Sequence, residues 1–203
     1  MAKNHASVDH YVVSRVRALE SLLLEKGLLE PDAVDRVVKR YVEDIGPMVG
    51  ARAVARAWVD PAYKRLLLDD PTAALAVFGV QYEMLQVREN TPAAHNMVVC
   101  TLCSCYPWAV LGLPPTWYKM PAYRSRAVIE PRAVLREFGT EIDADREVRV
   151  WDSSAEMRYM VLPMRPPEAD GMTEEELLAL ITRDSLIGVT ELSYPKQPSA
   201  TSA

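Results

Sequence analysis

All three cysteines of this 203-residue chain fall within six positions, at Cys100, Cys103 and Cys105. No cysteine elsewhere can pair with them. A disulfide framework, which spreads an even number along a short secreted chain, is therefore excluded. Three sulfurs this close in an acidic chain (23 Lys+Arg against 28 Asp+Glu, net charge −5) point to metal or redox chemistry. A structural zinc site needs four ligands and an iron–sulfur cluster usually four thiolates. The cluster is one short of either, and His95 is the only nearby imidazole, since His5 and His10 lie in the N-terminal tail. The loop itself can make up the deficit. If the sulfurs of Cys103 and Cys105 hold one ion, the amides of Ser104 and Cys105 are pulled against it. A strongly Lewis-acidic trivalent ion can ionise those amides, and three sulfurs with two nitrogens leave an octahedral ion one open position, as a catalytic metal requires.

The flanking sequence divides into a helical part and a mixed part. Val8, Tyr11, Val12, Val16, Leu19, Leu22 and Leu23 recur at three and four residues, which predicts a helix opened by Ser7 and stopped at Gly27. A second is expected from Glu30-Pro31, striped by Val34, Val37, Val38 and Tyr41 and broken at Gly46-Pro47. Residues 51–59 predict a third, and residues 62–78 further helix divided at Asp70-Pro71. These helices could cap the core of their own chain or form an arm lying on another chain. Beyond Gly79, residues 96–100 predict a buried strand feeding the cysteine loop. Residues 131–138 predict a short helix closed by Gly139. Residues 146–151 and 157–164 predict two strands, paired as an antiparallel hairpin around Ser153-Ser154. Thr173 and Glu176 form a capping box ahead of Leu177, Leu178 and Ile181. The last ten or so residues are expected to fray. The expected fold class is α+β, with a helical N-terminal arm over residues 1–75 and a layered α/β globular domain over residues 76–203 that holds the metal.

The string Cys100-Thr101-Leu102-Cys103-Ser104-Cys105-Tyr106-Pro107-Trp108 resembles the metal claw of the nitrile hydratase α subunit. The likeness continues through Val110-Leu111-Gly112-Leu113-Pro114-Pro115, Trp117-Tyr118-Lys119 and Tyr123-Arg124-Ser125-Arg126. It extends to Val150-Trp151-Asp152-Ser153 and Arg183-Asp184-Ser185-Leu186-Ile187-Gly188-Val189, and upstream to Trp58-Val59-Asp60-Pro61 and Glu89-Asn90-Thr91-Pro92. The resemblance implies a lyase that hydrates small nitriles to amides. Its metal ligands would be the sulfurs of Cys100, Cys103 and Cys105 and the main-chain nitrogens of Ser104 and Cys105. Cys103 would be oxidised to sulfinate and Cys105 to sulfenate, an order consistent with exposed thiolates oxidising first. A β subunit would supply two arginines to these anionic sulfurs, and an activator protein would load the metal. Thr101 and Tyr106 resemble the cobalt branch, which implies low-spin Co(III) rather than Fe(III). Gln81 falls where the family keeps a glutamine near the site, and Trp108 where a tryptophan lines the substrate pocket.

Two other readings stand beside this one. The metal subunit of thiocyanate hydrolase carries the same claw but usually has arginine at the position of Trp108, which would favour an anionic substrate. A non-catalytic metal or redox-sensing module would instead hold exchangeable zinc. Arg124 and Arg126 are expected to brace the site or an interface, and His95 to be hydrogen-bonded structure. The acidic balance argues against nucleic-acid binding. The longest apolar run, residues 73–80, is too short for a bilayer, and residues 1–11 lack the apolar segment of a secretory signal. A cytoplasmic chain is expected. None of the eight glycines gives dinucleotide-binding spacing.

Overall fold

The computed structural model describes residues 10–41 and 48–192. The expected helix start at Ser7, the break at Gly46-Pro47 and the frayed C-terminus lie outside the described residues. Two amphipathic helices come first, α1 (His10–Glu25) and α2 (Ala33–Lys39). Neither contributes a buried residue. The apolar stripe read from the sequence leaves Tyr11, Val16, Leu19, Val34 and Val37 exposed.

Burial begins at α3 (Met48–Val59), where Gly50, Ala51, Ala53, Val54, Ala55 and Ala57 face the interior. These small side chains let neighbouring elements approach closely. Helices α4 (Pro61–Asp69) and α5 (Pro71–Ala76) follow without a loop between them. Each opens on an Asp-Pro pair. Asp60 accepts from the amides of Ala62 and Tyr63 and Asp70 from that of Ala73, while the proline takes the first turn, where its missing N–H costs nothing. Tyr63, Leu67, Ala74 and Leu75 from these helices join the main core. The change from exposed to buried thus falls before α3.

Among the described residues, four strands form two parallel pairs. Strand β1 (Leu85–Glu89) pairs with β4 (Arg158–Leu162), with Val87 opposite Met160. Strand β2 (Ala94–Val99) pairs with β3 (Glu147–Asp152), with Met97 opposite Val150 and Val99 opposite Asp152. The antiparallel hairpin expected for residues 146–164 is not formed. Ser154 does make the turn, its hydroxyl accepting from the amides of Glu156 and Met157. The turn, however, hands the chain from one pair to the other. Every residue of β2 is buried, so β3 is needed along its edge, and β4 takes its place beside β1. Alternation along a strand reports which face is buried but not which neighbour it meets.

Parallel pairing requires a crossover of a dozen residues or more. The crossover from β2 to β3 contains the cysteine loop, α6 (Trp108–Leu111), a 3-10 turn (Thr116–Lys119), α7 (Pro121–Ile129) and α8 (Pro131–Glu137). Helices α9 (Glu174–Leu178) and α10 (Arg183–Ile187) close the fold, each on a capping box. The box at Thr173–Glu176 matches the sequence reading. Gly188 ends α10 at φ +83°, and a Cβ there would sit 2.0 Å from the Asn96 carbonyl oxygen. Only glycine lets the chain pass this close to β2. Its carbonyl accepts from Nε2 of the fully buried His95 at 2.8 Å, and the other ring nitrogen of His95 lies 3.4 Å from Asn90 Nδ2. His95 is therefore hydrogen-bonded structure, as the sequence suggested. No helix among the described residues is long and apolar enough to cross a membrane.

Candidate metal centre

Strand β2 ends at Val99, and the loop turns back on itself over the next six residues. Cys100 is wholly buried, Cys105 half-buried and Cys103 exposed. The Sγ atoms of Cys100 and Cys103 are 3.5 Å apart, those of Cys103 and Cys105 3.2 Å, and all three lie within 4.8 Å of one another. No disulfide joins them.

The main chain of the loop is held from outside. The Arg124 guanidinium, from α7, donates through Nε to the carbonyl of Cys100 (3.0 Å) and through Nη2 to that of Thr101 (2.7 Å). Tyr118 Oη donates to the carbonyl of Cys105 at 3.0 Å. Tyr123 Oη donates to that of Val98 at 2.6 Å. Asp152, the last residue of β3, accepts from the Thr101 amide (2.9 Å) and from the Thr101 hydroxyl (2.5 Å). Carbonyls of the loop are thus drawn outwards onto fixed donors. One loop amide turns the other way: Cys103 N–H donates to Cys100 Sγ at 3.3 Å.

The thiols are correspondingly unequal. Hydrogen bonds from the Cys105 thiol, the Cys100 thiol and the Ser104 and Cys105 amides lower Cys103 to about 7. Burial, together with the hydrogen bond to Cys103 and the neighbouring sulfur charges, pushes Cys105 up to about 12. Cys103 becomes a thiolate before Cys105, whose S–H then donates to it.

The donor set suits a small trivalent ion better than zinc. Three sulfurs converge, and among the described residues no carboxylate or imidazole joins them within reach. The main-chain nitrogens of Ser104 and Cys105 lie between the second and third sulfurs along the chain, the positions from which ionised amides would have to bind. Among the described residues, neither the Thr101 nor the Tyr106 side chain hydrogen-bonds to a sulfur. The Thr101 hydroxyl is spent on Asp152, and the Tyr106 ring is buried edge-on to Tyr118 at 5.1 Å between centroids. Their influence is on the shape of the loop.

Of the other residues singled out from the sequence, Arg124 braces the loop. Arg126 does not, pairing instead with Glu130 and Glu137. Trp108 opens α6 three residues after Cys105 and is 38 % exposed. Gln81 is exposed and makes no hydrogen bond to a described residue. The adjacent Tyr82 is close enough to the claw for charge on Cys105 to help raise its phenol, after burial as the main cause. Asp152, Tyr118 and Tyr123 had no role in the sequence reading. They stand 13 to 51 residues from their partners, and only the fold brings them there.

A thiolate claw on an α+β scaffold, braced by charged and phenolic donors, defines a class of metalloprotein, and comparison with known proteins narrows it. The family model described as nitrile hydratase, alpha chain, matches residues 10–190, and the chain belongs to that family. The α subunit of the low-molecular weight cobalt-containing nitrile hydratase of Rhodococcus rhodochrous is 57 % identical over 191 residues, covering 93 % of this chain and 91 % of the relative. That of the cobalt-containing enzyme of Pseudonocardia thermophila is 50 % identical over 193 residues, covering 93 % and 95 %. Thiocyanate hydrolase subunit gamma of Thiobacillus thioparus is 44 % identical, covering 85 % of this chain and 76 % of the relative. Among solved structures, a double mutant of the Fe-type nitrile hydratase of Comamonas testosteroni Ni1 superposes with a TM-score of 0.86 at 38 % identity, covering 97 % and 100 % of the two chains.

Proposed function

We propose that this chain is the metal-bearing α subunit of a cobalt-type nitrile hydratase, adding water across the carbon–nitrogen triple bond of a nitrile to give the amide. The observation that carries this reading is the claw: three sulfurs within 4.8 Å, on a loop whose Cys100, Thr101 and Cys105 carbonyls are tied to Arg124 and Tyr118. Cys100, Cys103 and Cys105 would hold cobalt through sulfur, and Ser104 and Cys105 through main-chain nitrogen. Held there, Co(III) supplies the Lewis acidity that makes a nitrile carbon electrophilic.

The chain's own residues do the rest. Arg124, Tyr118 and Asp152 keep the loop in one shape, so no reorganisation is needed when the ion or the substrate arrives. Cys103, exposed and more acidic than Cys105, is placed for oxidation to sulfinate. Cys105 beside it would carry the single oxygen that attacks the nitrile carbon or takes a proton from water. Trp108 offers a flat apolar wall three residues away, and Gln81 a polar group on the approach from α5. Leu102, 88 % exposed at the tip of the claw, and Cys103 face outwards. This suits a site completed by a second chain, whose arginines would pair with the oxidised sulfurs. The exposed stripes of α1 and α2 suit an arm laid on that β subunit, while α3–α5 belong to the catalytic body. An activator protein would deliver the cobalt, and the setting would be the cytoplasm.

Mass spectrometry of the claw peptide together with elemental analysis of the αβ complex tests the site. Two oxygens on Cys103, one on Cys105 and about one cobalt per α chain are expected; exchangeable zinc on unmodified thiols would sink the proposal. Assay of nitrile and thiocyanate side by side decides between the two hydrolytic readings. The uncharged ring of Trp108 favours the nitrile.

A further inference from the structure

The Trp108 ring is held by residues from two directions. The Lys119 ammonium lies over its face, 5.3 Å from the ring centroid. The ring of Tyr41, just beyond the end of α2, meets it edge-on, with centroids 5.7 Å apart and planes at 89°. Tyr41 belongs to the segment that otherwise buries nothing in this chain. It therefore links the exposed helical arm to a residue three positions from the claw. With 38 % of its surface open, Trp108 is not enclosed by the core, so these two ring contacts bear on its orientation.

We propose that Tyr41 is a specificity-determining positioning residue: its ring edge sets the orientation of Trp108, so that how the arm is seated determines which nitriles the pocket accepts. The inference rests on the reading of Trp108 as a pocket wall. Tyr41 touches neither the metal ligands nor the reacting atoms and acts only through the indole. An edge-to-face pair contributes enough to change discrimination by about two- to tenfold. The effect falls on KM for bulky substrates, which need the wall in place, and less on kcat.

The test uses the cobalt-loaded αβ complex with Tyr41→Ala, Tyr41→Phe, Trp108→Ala and the Tyr41→Ala/Trp108→Ala pair. Propionitrile and benzonitrile serve as small and bulky probes, and near-ultraviolet circular dichroism reports the aromatic packing. Tyr41→Ala is expected to shift the benzonitrile-to-propionitrile ratio of kcat/KM about two- to tenfold, through KM, and to alter the indole band. Tyr41→Phe, which keeps the ring edge, should restore both. On the Trp108→Ala background, removing Tyr41 should change the ratio no further. If Trp108→Ala moves the ratio and Tyr41→Ala moves neither ratio nor spectrum, the coupling is refuted while the pocket assignment of Trp108 stands. If Trp108→Ala leaves the ratio unchanged, the pocket assignment itself falls, and the coupling with it.

Discussion

Asp152 holds Thr101 through two hydrogen bonds, one to the amide at 2.9 Å and one to the hydroxyl at 2.5 Å. Thr101 follows the first claw cysteine, so these bonds set where the loop leaves β2. A hydrogen bond to a charged group contributes roughly 1.5–3 kcal/mol. Asp152 is exposed, water can replace it, and the low end applies to the pair as a whole. Asp152→Ala should therefore cost about 1.5 kcal/mol of loop preorganisation, or about tenfold in the cobalt concentration that half-loads the αβ complex. Asp152→Asn keeps one acceptor and should fall between the two. Because the loop opens locally, Tm should stay within about 2 °C of the parent. Cobalt titration followed by elemental analysis, with a melting curve on the same sample, provides the measurement. A cobalt titration of Asp152→Ala that overlays the parent would refute the bracing argument. A loss of cobalt matched by a large fall in Tm would instead make Asp152 a general stability residue.

Arg124→Lys retains the charge but not the fork that reaches both Cys100 and Thr101 carbonyls; cobalt should be lost to a chelator about tenfold faster, as followed by absorbance. Gly188→Ala would force a Cβ against the Asn96 carbonyl in a left-handed conformation; a loss of about 3–5 kcal/mol is expected in urea unfolding, and a loss under 1 kcal/mol would contradict the close packing. Glu191 is held below the usual carboxylate range by His95, 3.7 Å away, and by Arg146, in direct contact at 2.5 Å. Its folded pKa is the lower one, so its contribution is present above about pH 4.3, the usual glutamate value, and is lost as pH falls further. Glu191→Gln should unfold more readily than the parent at pH 7, and the gap should close in acid.

The local devices were legible in the sequence and the long-range ones were not. The division at Asp70-Pro71 and the capping box at Thr173 act within four residues, so spacing alone finds them, although the caps that Asp60 and Asp70 make are not read from it. The claw declares itself the same way, since its sulfurs and the amides between them are contiguous. The braces escape such reading. Nothing local to Asp152 distinguishes it from the other acidic residues of an exposed strand end, and Tyr118 reads as core until its hydroxyl is seen on the Cys105 carbonyl. The pairing of β3 is hidden for the same reason: a short turn at Ser154 normally closes a hairpin, and only the fold shows the strand before it lying along the buried strand β2. Residues 48–76 read like the helices before them, yet their alanines and leucines are core.

The register of β2 with β3 sets an order of events during synthesis. Val99 lies opposite Asp152, so the carboxylate that shapes the claw is made about fifty residues after the first of its sulfurs. Chains leave the ribosome N-terminal end first, at roughly 5–20 residues per second. The nascent chain therefore presents three reactive thiols for some seconds before it owns the group that orders them.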